Sequence, residues 1–416
     1  MMASPLRWLS VRAVPYILVG LTLLKIIGFV ALESAGKIEP FAGANAKEVS
    51  LRVAERLVQE GRYNGPDSRE DSHYPPGYPF ILAVLLFLAP NHHLDITVAL
   101  QMAIDLLTAY LLFWAGSRFA SWQAGFIAGV IWLLLPPEVA ISTWITQESM
   151  FIAWLTWSAL VLTVSLSRPG AGLTFVAGLL LGVATLFRPT AVYFPFFLLP
   201  LWFFFAYPRR WQKALYLVLG VACIITPWSI RNWVVLHDRI LVSTGYGATF
   251  FQSSDERLYT IEGKHKWYST VHAEVARDGV VKPNTDKESE LDRWLLQCGL
   301  SNYRRRWQQR PWSFVPFFTD RFFRLWYANE SGAVRSEIGL GLCSILFAPL
   351  GMWQLWRWRH TQRDLALIAG ALILYFVGVH LIVFPEFRYV LPVFPWLILG
   401  WSAAVAAWLL PKEATI

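Results

Sequence analysis

Residues 14–33 read VPYILVGLTLLKIIGFVALE, an apolar run that contains one lysine and ends on a glutamate. A helix needs about 20 predominantly apolar residues to cross the hydrocarbon core of a bilayer, so this run has the length of a transmembrane helix. It is too long for the apolar core of a secretory signal peptide, and no small-residue cleavage site follows it. The run therefore predicts a retained membrane-spanning helix.

Apolar runs of similar length recur along most of the chain. The ten runs that we predict to span the membrane are 14–33, 94–116, 122–140, 149–166, 171–187, 190–206, 213–229, 337–355, 364–383 and 390–410. The 416 residues are 56% hydrophobic and only 15% charged, whereas soluble domains carry roughly 25% charged residues. The sequence predicts an all-α polytopic membrane protein with about ten transmembrane helices.

The net charge of +8 does not indicate nucleic-acid binding. The cations cluster at the ends of apolar runs, where they orient helices and meet anionic lipid headgroups. Cys223 and Cys343 lie inside apolar runs and Cys298 in a polar segment, so the three cysteines form no disulfide framework. We expect membrane lipid, and no nucleic acid, among the partners.

The short apolar piece 79–90 decides the topology. Its length of about 12 residues suits a re-entrant or interfacial helix better than a span. If it does not cross, most basic connections share the side of the N-terminus. These basic residues are Arg7, Arg12, Arg118, Arg168, Arg209, Arg210, Lys213, Arg357, Arg359, Arg363 and Lys412. By the positive-inside rule both termini are then cytoplasmic, in what we expect to be a bacterial plasma membrane.

Two long polar segments, 34–78 and 230–335, then face the outside. The first contains an amphipathic pattern from Ala46 to Gln59, which Gly61 ends. The second finishes, from Arg310 to Tyr327, in an aromatic-rich stretch typical of an interfacial helix. The chain is predicted to divide into three regions: a membrane domain, residues 1–229, that includes the first outer loop 34–93 and the candidate carboxylates; a larger outer loop, 230–336, with interfacial helices; and C-terminal transmembrane helices in 337–416.

Two charged residues, Lys25 and Asp105, lie near the middle of predicted spans. A charge at a helix centre costs at least about 2.5–3.5 kcal/mol on insertion scales. We expect the two side chains to neutralise each other if their helices are neighbours. A snorkelling lysine and a catalytic role are the alternatives.

Two carboxylates, Glu48 and Glu148, lie on the predicted outer side. Such a pair around a cleft could supply a general base or ligands for a divalent metal. The alternatives are a helix N-terminal acid for Glu148 and a solvated helix face for Glu48.

Three arginines, Arg188, Arg231 and Arg388, fall at the outer ends of spans, against the positive-inside bias. The planar guanidinium suits a phosphate at an interface, so together they favour an anionic-lipid site over simple interfacial anchors. His73 begins a proline-rich turn that returns the first outer loop to the membrane. It could be a base or a metal ligand, although such a histidine is more often a polar turn residue.

Six short motifs resemble, in their order along the chain, those of the GT-C superfamily of integral-membrane glycosyltransferases. They are Pro75–Pro76–Gly77–Tyr78–Pro79, Thr146–Gln147–Glu148, Phe187–Arg188–Pro189, Pro227–Trp228–Ser229–Ile230–Arg231–Asn232, Ser243–Thr244–Gly245–Tyr246–Gly247 and Arg388–Tyr389–Val390–Leu391–Pro392. The likeness spans nearly the whole chain. It is greatest to bacterial relatives of protein O-mannosyltransferases and of lipid A aminoarabinose transferases.

The resemblance implies transfer of a sugar from a polyprenyl-phosphate donor on the outer face. The family's first outer loop carries an acidic residue, usually aspartate, and Glu48 is the acid nearest that position. Asp67, Glu70 and Asp71 are rivals for the same role. The second acidic position falls on Glu148. The residues expected to bind substrate or phosphate are Arg188, Arg231, Arg388, Tyr389, Tyr78 and His73.

Two other functions fit the same pattern. A transporter or flippase of a lipid-linked sugar also needs outer arginines, but it should show the repeats of alternating access, which we do not find. A catalytically inactive membrane scaffold is the second alternative, since the usual loop aspartate is absent. The acceptor of a transferase stays open between protein, glycan and lipid.

Overall fold

The computed structural model describes residues 11–36, 49–63, 72–254, 285, 287–328 and 334–409, in which every regular element is helical. The first helices are α1 Val14–Ser34, α2 Val49–Glu60, α3 Gly77–Leu88, α4 His93–Phe119, α5 Trp122–Leu134, α6 Pro136–Thr143, α7 Glu148–Leu166, α8 Gly172–Phe187, α9 Phe194–Phe197 and α10 Leu199–Phe204. They are followed by α11 Arg210–Leu236, α12 Tyr246–Ser254, α13 Glu288–Gln309, α14 Phe314–Arg324, α15 Val334–Trp358, α16 Arg363–Ile382, α17 Phe387–Val390 and α18 Phe394–Leu409. The predicted all-α class is confirmed.

Seven segments of the described chain are long and apolar enough to cross a membrane. They are Val11–Ser34, His93–Phe119, Glu148–Leu166, Arg210–Leu236, Val334–Trp358, Arg363–Ile382 and Phe387–Leu409. An eighth span arises if α5 and α6, which meet at a bend of 53°, are counted together. Pro136 and Pro137 follow the bend, and proline disfavours helical backbone in the residue before it. The chain is thus a polytopic membrane protein.

The two remaining predicted spans, 171–187 and 190–206, are helical but shorter than a usual span. The first is α8, with 16 residues. The second is divided among a 3-10 turn, α9 and α10 within Pro189–Phe204. Prolines stand at the start of each piece, where the missing N–H is tolerated, so they break the segment into short turns.

The segment that we predicted to be the first outer loop contains two short helices. α3 has 12 residues, about 18 Å of helix, which is too short for a hydrocarbon core of about 30 Å. α2 packs against α3 and ends at Gly61, whose φ of +67° suits glycine. The predicted amphipathic helix is therefore present from Val49 onward, and its predicted start at Ala46–Glu48 lies outside the described residues.

Small residues let α8 and α11 approach closely. A Cβ atom built on Gly220 would lie 2.4 Å from the carbonyl oxygen of Phe175 and 2.8 Å from the Cα of Gly178. Such backbone contact through small residues is a usual way of packing membrane helices. The two glycines therefore set the separation of α8 and α11.

We expect Gly220→Ala to lower stability, because the added methyl group meets backbone and cannot be accommodated by a side-chain rotation. Overpacking of this kind costs about 1–3 kcal/mol. Gly370→Ala in α16 is the matched control, since nothing lies within 4 Å of its Cβ position and alanine favours a helix by up to about 1 kcal/mol. Thermal unfolding in detergent should show a lower midpoint for the first variant alone; equal midpoints would contradict the close approach.

Lys25 and Asp105 form the ion pair that the sequence predicted. The Nζ of Lys25 lies 3.1 Å from Oδ2 of Asp105, and both side chains are buried. Ser149, at the start of α7, donates to Oδ1 of Asp105 at 2.9 Å. Glu138, which is also buried, lies beside the same carboxylate. The cluster joins α1, α4, α6 and α7 and fixes where α7 begins.

Replacing Lys25 by Met should destabilise the protein strongly, because Asp105 and Glu138 would remain buried without their cation. Breaking a buried pair from one side costs about 3–5 kcal/mol. The double variant Lys25→Met, Asp105→Asn removes both charges of the pair and should recover part of the loss. Thermal midpoints of the single and double variants form the test, and additive losses would show that the two residues do not interact.

Candidate active site

The start of α7 and the end of α8 meet through an ion pair. Glu148 is the first residue of α7, and Arg188 follows the last residue of α8 directly. Arg188 precedes Pro189 and has extended backbone, so α8 stops there and the side chain turns toward α7. The guanidinium of Arg188 donates to the carboxylate of Glu148, and each side chain is only 11% exposed.

The ring of Tyr389 is in contact with two guanidinium groups. The Cζ atoms of Arg188 and Arg388 each lie 4.9 Å from the centroid of its ring. The Nε of Arg388 is in turn 2.8 Å from Oε2 of Glu386, whose side chain is buried. The ring of His380 stacks on Tyr389 with centroids 4.4 Å apart and planes at 8°. Two arginines, each paired with a carboxylate, thus lie against one aromatic ring, where the ends of α7, α8, α16 and the last span converge.

Arg321 of α14 holds the end of α16 in place. Its NH1 donates to the carbonyl oxygens of Leu381 at 3.0 Å and Val383 at 3.0 Å, and to Oγ of Ser253 at 2.7 Å. The side chain is fully buried, with Cζ 4.0 Å from the ring centroid of Phe317. A helix end leaves carbonyl groups without partners, and a guanidinium satisfies several of them at once. Arg321 therefore positions the turn that leads to Glu386 and Arg388.

The proline-rich turn contacts the segment that we predicted to be the larger outer loop. The backbone N–H of Thr244 donates to the carbonyl of Ser72 at 3.1 Å, and Oε2 of Glu288 accepts from the hydroxyl of Thr244 at 2.9 Å. His73 lies against Gly245, where a Cβ would come 2.9 Å from its Cε1; the φ of +103° at Gly245 also requires glycine. Glycine at 245 is thus needed for this contact.

Asp292 of α13 completes the contact. Its Oδ1 accepts the backbone N–H groups of Gly245 at 3.0 Å and Gly247 at 2.8 Å. Burial raises the pKa of Asp292, and these N–H groups and the nearby His73 oppose the rise. Burial also lowers the pKa of His73, against the attraction of Glu288 and Asp292. The two polar segments of the chain therefore meet at a half-buried acid and a half-buried imidazole.

A cavity of about 280 Å³ opens beside this contact and next to Arg188. Its lining residues are Pro189, Val192, Tyr193, Arg239, Ile240, Leu241, Val242, Ser243, Thr244, Tyr246, Ser289, Asp292 and Arg293. The hydroxyl oxygen of Tyr246 is buried and has no hydrogen-bond partner in the described part of the chain, and burial raises its pKa. Hydroxyls, an acid and two arginines give this cavity the chemistry to bind a polar molecule.

Of the predicted site residues, Glu148, Arg188, Arg388 and Tyr389 come together in one cluster, and His73 lies at the contact that borders the cavity. Tyr78 is buried in the core, where its hydroxyl donates to Gln101 at 2.8 Å. Gln101 in turn donates to the carbonyls of Ser142 and Trp144. Tyr78 thus links the proline-rich turn to the segment just before α7.

Arg231 has different neighbours. Its NH2 donates to the carbonyl of Tyr63 at 3.1 Å, and its Cζ lies 4.9 Å from the ring centroid of Trp228. The rings of Tyr63 and Trp228 are 4.7 Å apart, so the arginine joins the first outer loop to α11. Glu48 and its rivals Asp67, Glu70 and Asp71 lie outside the described residues.

Sequence reasoning missed four residues of the site: Asp292, Tyr246, His380 and Glu386. Glu386 stands two residues before Arg388, so the local charge pattern was a usable signal. Asp292 lies in an ordinary amphipathic stretch, and nothing near it in sequence indicates that it reaches Gly245.

No group of three His, Cys, Asp or Glu suited to a metal ion occurs in the part of the chain that the structure describes. The sequence left a divalent metal open, with Glu48 and Glu148 as its possible ligands, and Glu48 lies outside that region.

The fold resembles that of a solved glycosyltransferase. A crystal structure of the Archaeoglobus fulgidus oligosaccharyltransferase, tethered to an acceptor peptide containing the NVT sequon via a disulfide bond, matches with a TM-score of 0.51 and 12% sequence identity. The match covers 94% of this chain and 49% of the oligosaccharyltransferase chain, so the present chain spans about half that length. No protein-family model and no curated protein matches the sequence. The chain therefore shares its fold with this oligosaccharyltransferase, as the predicted GT-C resemblance led us to expect.

Arg321→Lys should lower stability, since lysine cannot reproduce the forked contacts with several carbonyls. Hydrogen bonds to a charged group contribute about 1.5–3 kcal/mol. Arg305→Lys, on an exposed position of α13, is the control. The thermal midpoint should fall for Arg321→Lys only. An unchanged midpoint in that variant would show that the contacts of Arg321 with the end of α16 do not contribute to stability.

Proposed function

We propose that this protein is a glycosyltransferase that moves a sugar from a polyprenyl-phosphate donor to an acceptor. The reaction takes place at the membrane face where Glu148 lies, which is the outer face under the predicted topology. The observation that carries the proposal is the pair of guanidinium groups, from Arg188 and Arg388, that both lie against the ring of Tyr389. The shared fold with an oligosaccharyltransferase supports the same class of reaction.

The two arginines suit a lipid phosphate. Each is paired with one carboxylate, Glu148 or Glu386, so the site is electrically balanced before a donor binds. Guanidinium groups bind phosphate through two parallel hydrogen bonds, and a half-buried setting strengthens them. Positive charge at this point stabilises the phosphate that departs when the bond to the sugar breaks.

The neighbouring cavity suits the sugar and the acceptor. Tyr246, Ser243 and Thr244 offer hydroxyl groups, and Arg239 and Asp292 offer charged groups. Its volume of about 280 Å³ accommodates one sugar ring with part of an acceptor. Because its wall includes Pro189, the residue after Arg188, the anomeric carbon of a bound sugar can lie beside the phosphate site.

The transfer requires one base. The acceptor oxygen forms a bond to the anomeric carbon, the bond from that carbon to the phosphate oxygen breaks, and the acceptor proton moves to a carboxylate. Glu48 takes this role in our proposal, on the resemblance of the first outer loop. Asp292, which lines the cavity, is the described carboxylate that could replace it. A divalent metal held by Glu48 and Glu148 would serve the phosphate as an additional positive charge.

The test is reconstitution of the purified protein with a panel of polyprenyl-phosphate sugars, followed by measurement of released polyprenyl phosphate. Arg388→Gln should reduce release by about 100-fold, the usual loss when one charged stabiliser of a leaving group is removed. Arg304→Gln, an exposed arginine of α13, should leave the rate unchanged. Glu48→Gln should abolish release, whereas Asp292→Asn should retain most of it; the reverse result would make Asp292 the base.

The same assay distinguishes a glycosyltransferase from a flippase and from an inactive scaffold. Movement of intact donor across the bilayer without release of polyprenyl phosphate would identify a flippase. Folded protein that neither cleaves nor moves any donor would favour a scaffold. Loss of release on adding a chelator, with recovery on adding back a divalent ion, would establish the metal.

A further inference from the structure

A second cavity, of about 360 Å³, lies at the opposite end of the helical bundle from Glu148. It includes Thr163 and Arg168, at the far end of α7, a helix of 19 residues and about 28 Å. Its lining residues are Trp114, Arg118, Phe119, Thr163, Val164, Ser167, Arg168, Thr361, Gln362, Arg363, Asp364 and Leu365. Under the predicted topology this is the cytoplasmic face. It is therefore separate from the candidate active site.

Three arginines converge on this cavity from three different connections. Arg118 ends α4, Arg168 follows α7, and Arg363 begins α16. Neither Arg118 nor Arg168 has an acidic partner within the described ranges, and the Nε of Arg363 lies 3.8 Å from Oδ1 of Asp364. The carboxylate of Asp364 also accepts from the hydroxyl of Tyr207 at 2.9 Å. The lining thus has three positive charges against one negative charge.

Lys213 neutralises the carbonyl groups at the end of α7, which would otherwise repel an anion in this cavity. The carbonyl groups at the end of a helix carry partial negative charge. The Nζ of the buried Lys213 donates to the carbonyls of Ser165, Leu166 and Arg168 at 2.8, 2.6 and 2.6 Å. Since the end of α7 is neutralised in this way, the arginine side chains remain available to a ligand.

An apolar stripe of α4 leads from the membrane to this cavity. Leu107, Tyr110 and Trp114 are 44%, 44% and 40% exposed, and they lie three to four residues apart on one helix face that ends at Arg118. An acyl chain can lie along such a stripe while its headgroup reaches the arginines. A soluble anion has no acyl chain and would make no contact with this stripe.

We propose that this cavity binds the phosphate headgroup of an anionic glycerophospholipid, whose acyl chain lies along Leu107, Tyr110 and Trp114. Charge complementarity favours this occupant, because basic pockets between membrane helices on the cytoplasmic side suit anionic headgroups. Ser167, Thr361 and Gln362 supply neutral donors for the remaining phosphate oxygens. The proposal concerns lipid binding and does not depend on the glycosyltransferase function.

The test is native mass spectrometry of the delipidated protein titrated with phosphatidylglycerol, with phosphatidylcholine and inorganic phosphate as comparison ligands. The wild type should retain phosphatidylglycerol in preference to phosphatidylcholine. Arg118→Gln and Arg168→Gln should each weaken retention by roughly fivefold, the usual effect of one basic residue at a lipid surface. The matched control is Arg357→Gln with Arg359→Gln, since these arginines stack on Trp353 and Trp356 and do not line the cavity.

Equal weakening in the control pair would overturn the proposal, because it would reflect net charge and not the cavity. Competition by inorganic phosphate at the same concentration as phosphatidylglycerol would also overturn it and would indicate a soluble anion. Leu107→Gln with Tyr110→Gln leaves the arginines in place and should weaken binding of the lipid through its chain alone. Retention unchanged by both the arginine and the stripe variants would place the lipid elsewhere.

Discussion

The buried ion pair between Glu148 and Arg188 is the interaction on which the candidate site depends. A guanidinium within a low-dielectric helix bundle requires a carboxylate or several other acceptors, and the acceptor here is the carboxylate that starts the neighbouring helix. The pair fixes the end of α8 against the start of α7. The same guanidinium then sets the position of Tyr389 and, through that ring, of Arg388 and His380. Removing either charge would loosen contacts from four regions of the chain.

Cations also close helix ends at both faces of the bundle. Lys213 satisfies the last carbonyls of α7, and Arg321 satisfies those of α16. Both side chains are fully buried, which is tolerable because each donates several hydrogen bonds. The two residues have different roles at the two ends of the helix bundle. Arg321 joins α12 and α14 to the turn that leads to the candidate active site, whereas Lys213 neutralises the end of α7 beside the arginines of the second cavity.

The sequence could predict the features that are set by residues close together in the chain. It could not predict those that depend on contacts between distant segments. Length and apolarity placed the helical runs, and the cost of an intramembrane charge predicted that Lys25 and Asp105 would pair. Glu138 could not be assigned to the same cluster, since it lies beyond a proline bend whose direction is set by packing. Asp292 and His380 reach the site through contacts between distant segments. The motifs nevertheless located Glu148, Arg188, Arg388 and Tyr389, because each stands at the end of a span.

The charge balance of the site has a consequence for the proposed reaction. Arg188 and Arg388 each have a carboxylate partner, so a donor phosphate must compete with Glu148 and Glu386 for them. In the proposed reaction, a donor phosphate that binds Arg188 would replace Glu148 as the partner of that guanidinium. Departure of the phosphate reverses this exchange and restores the ion pair. Binding and release of the lipid would therefore open and re-form the contact between the end of α8 and the start of α7.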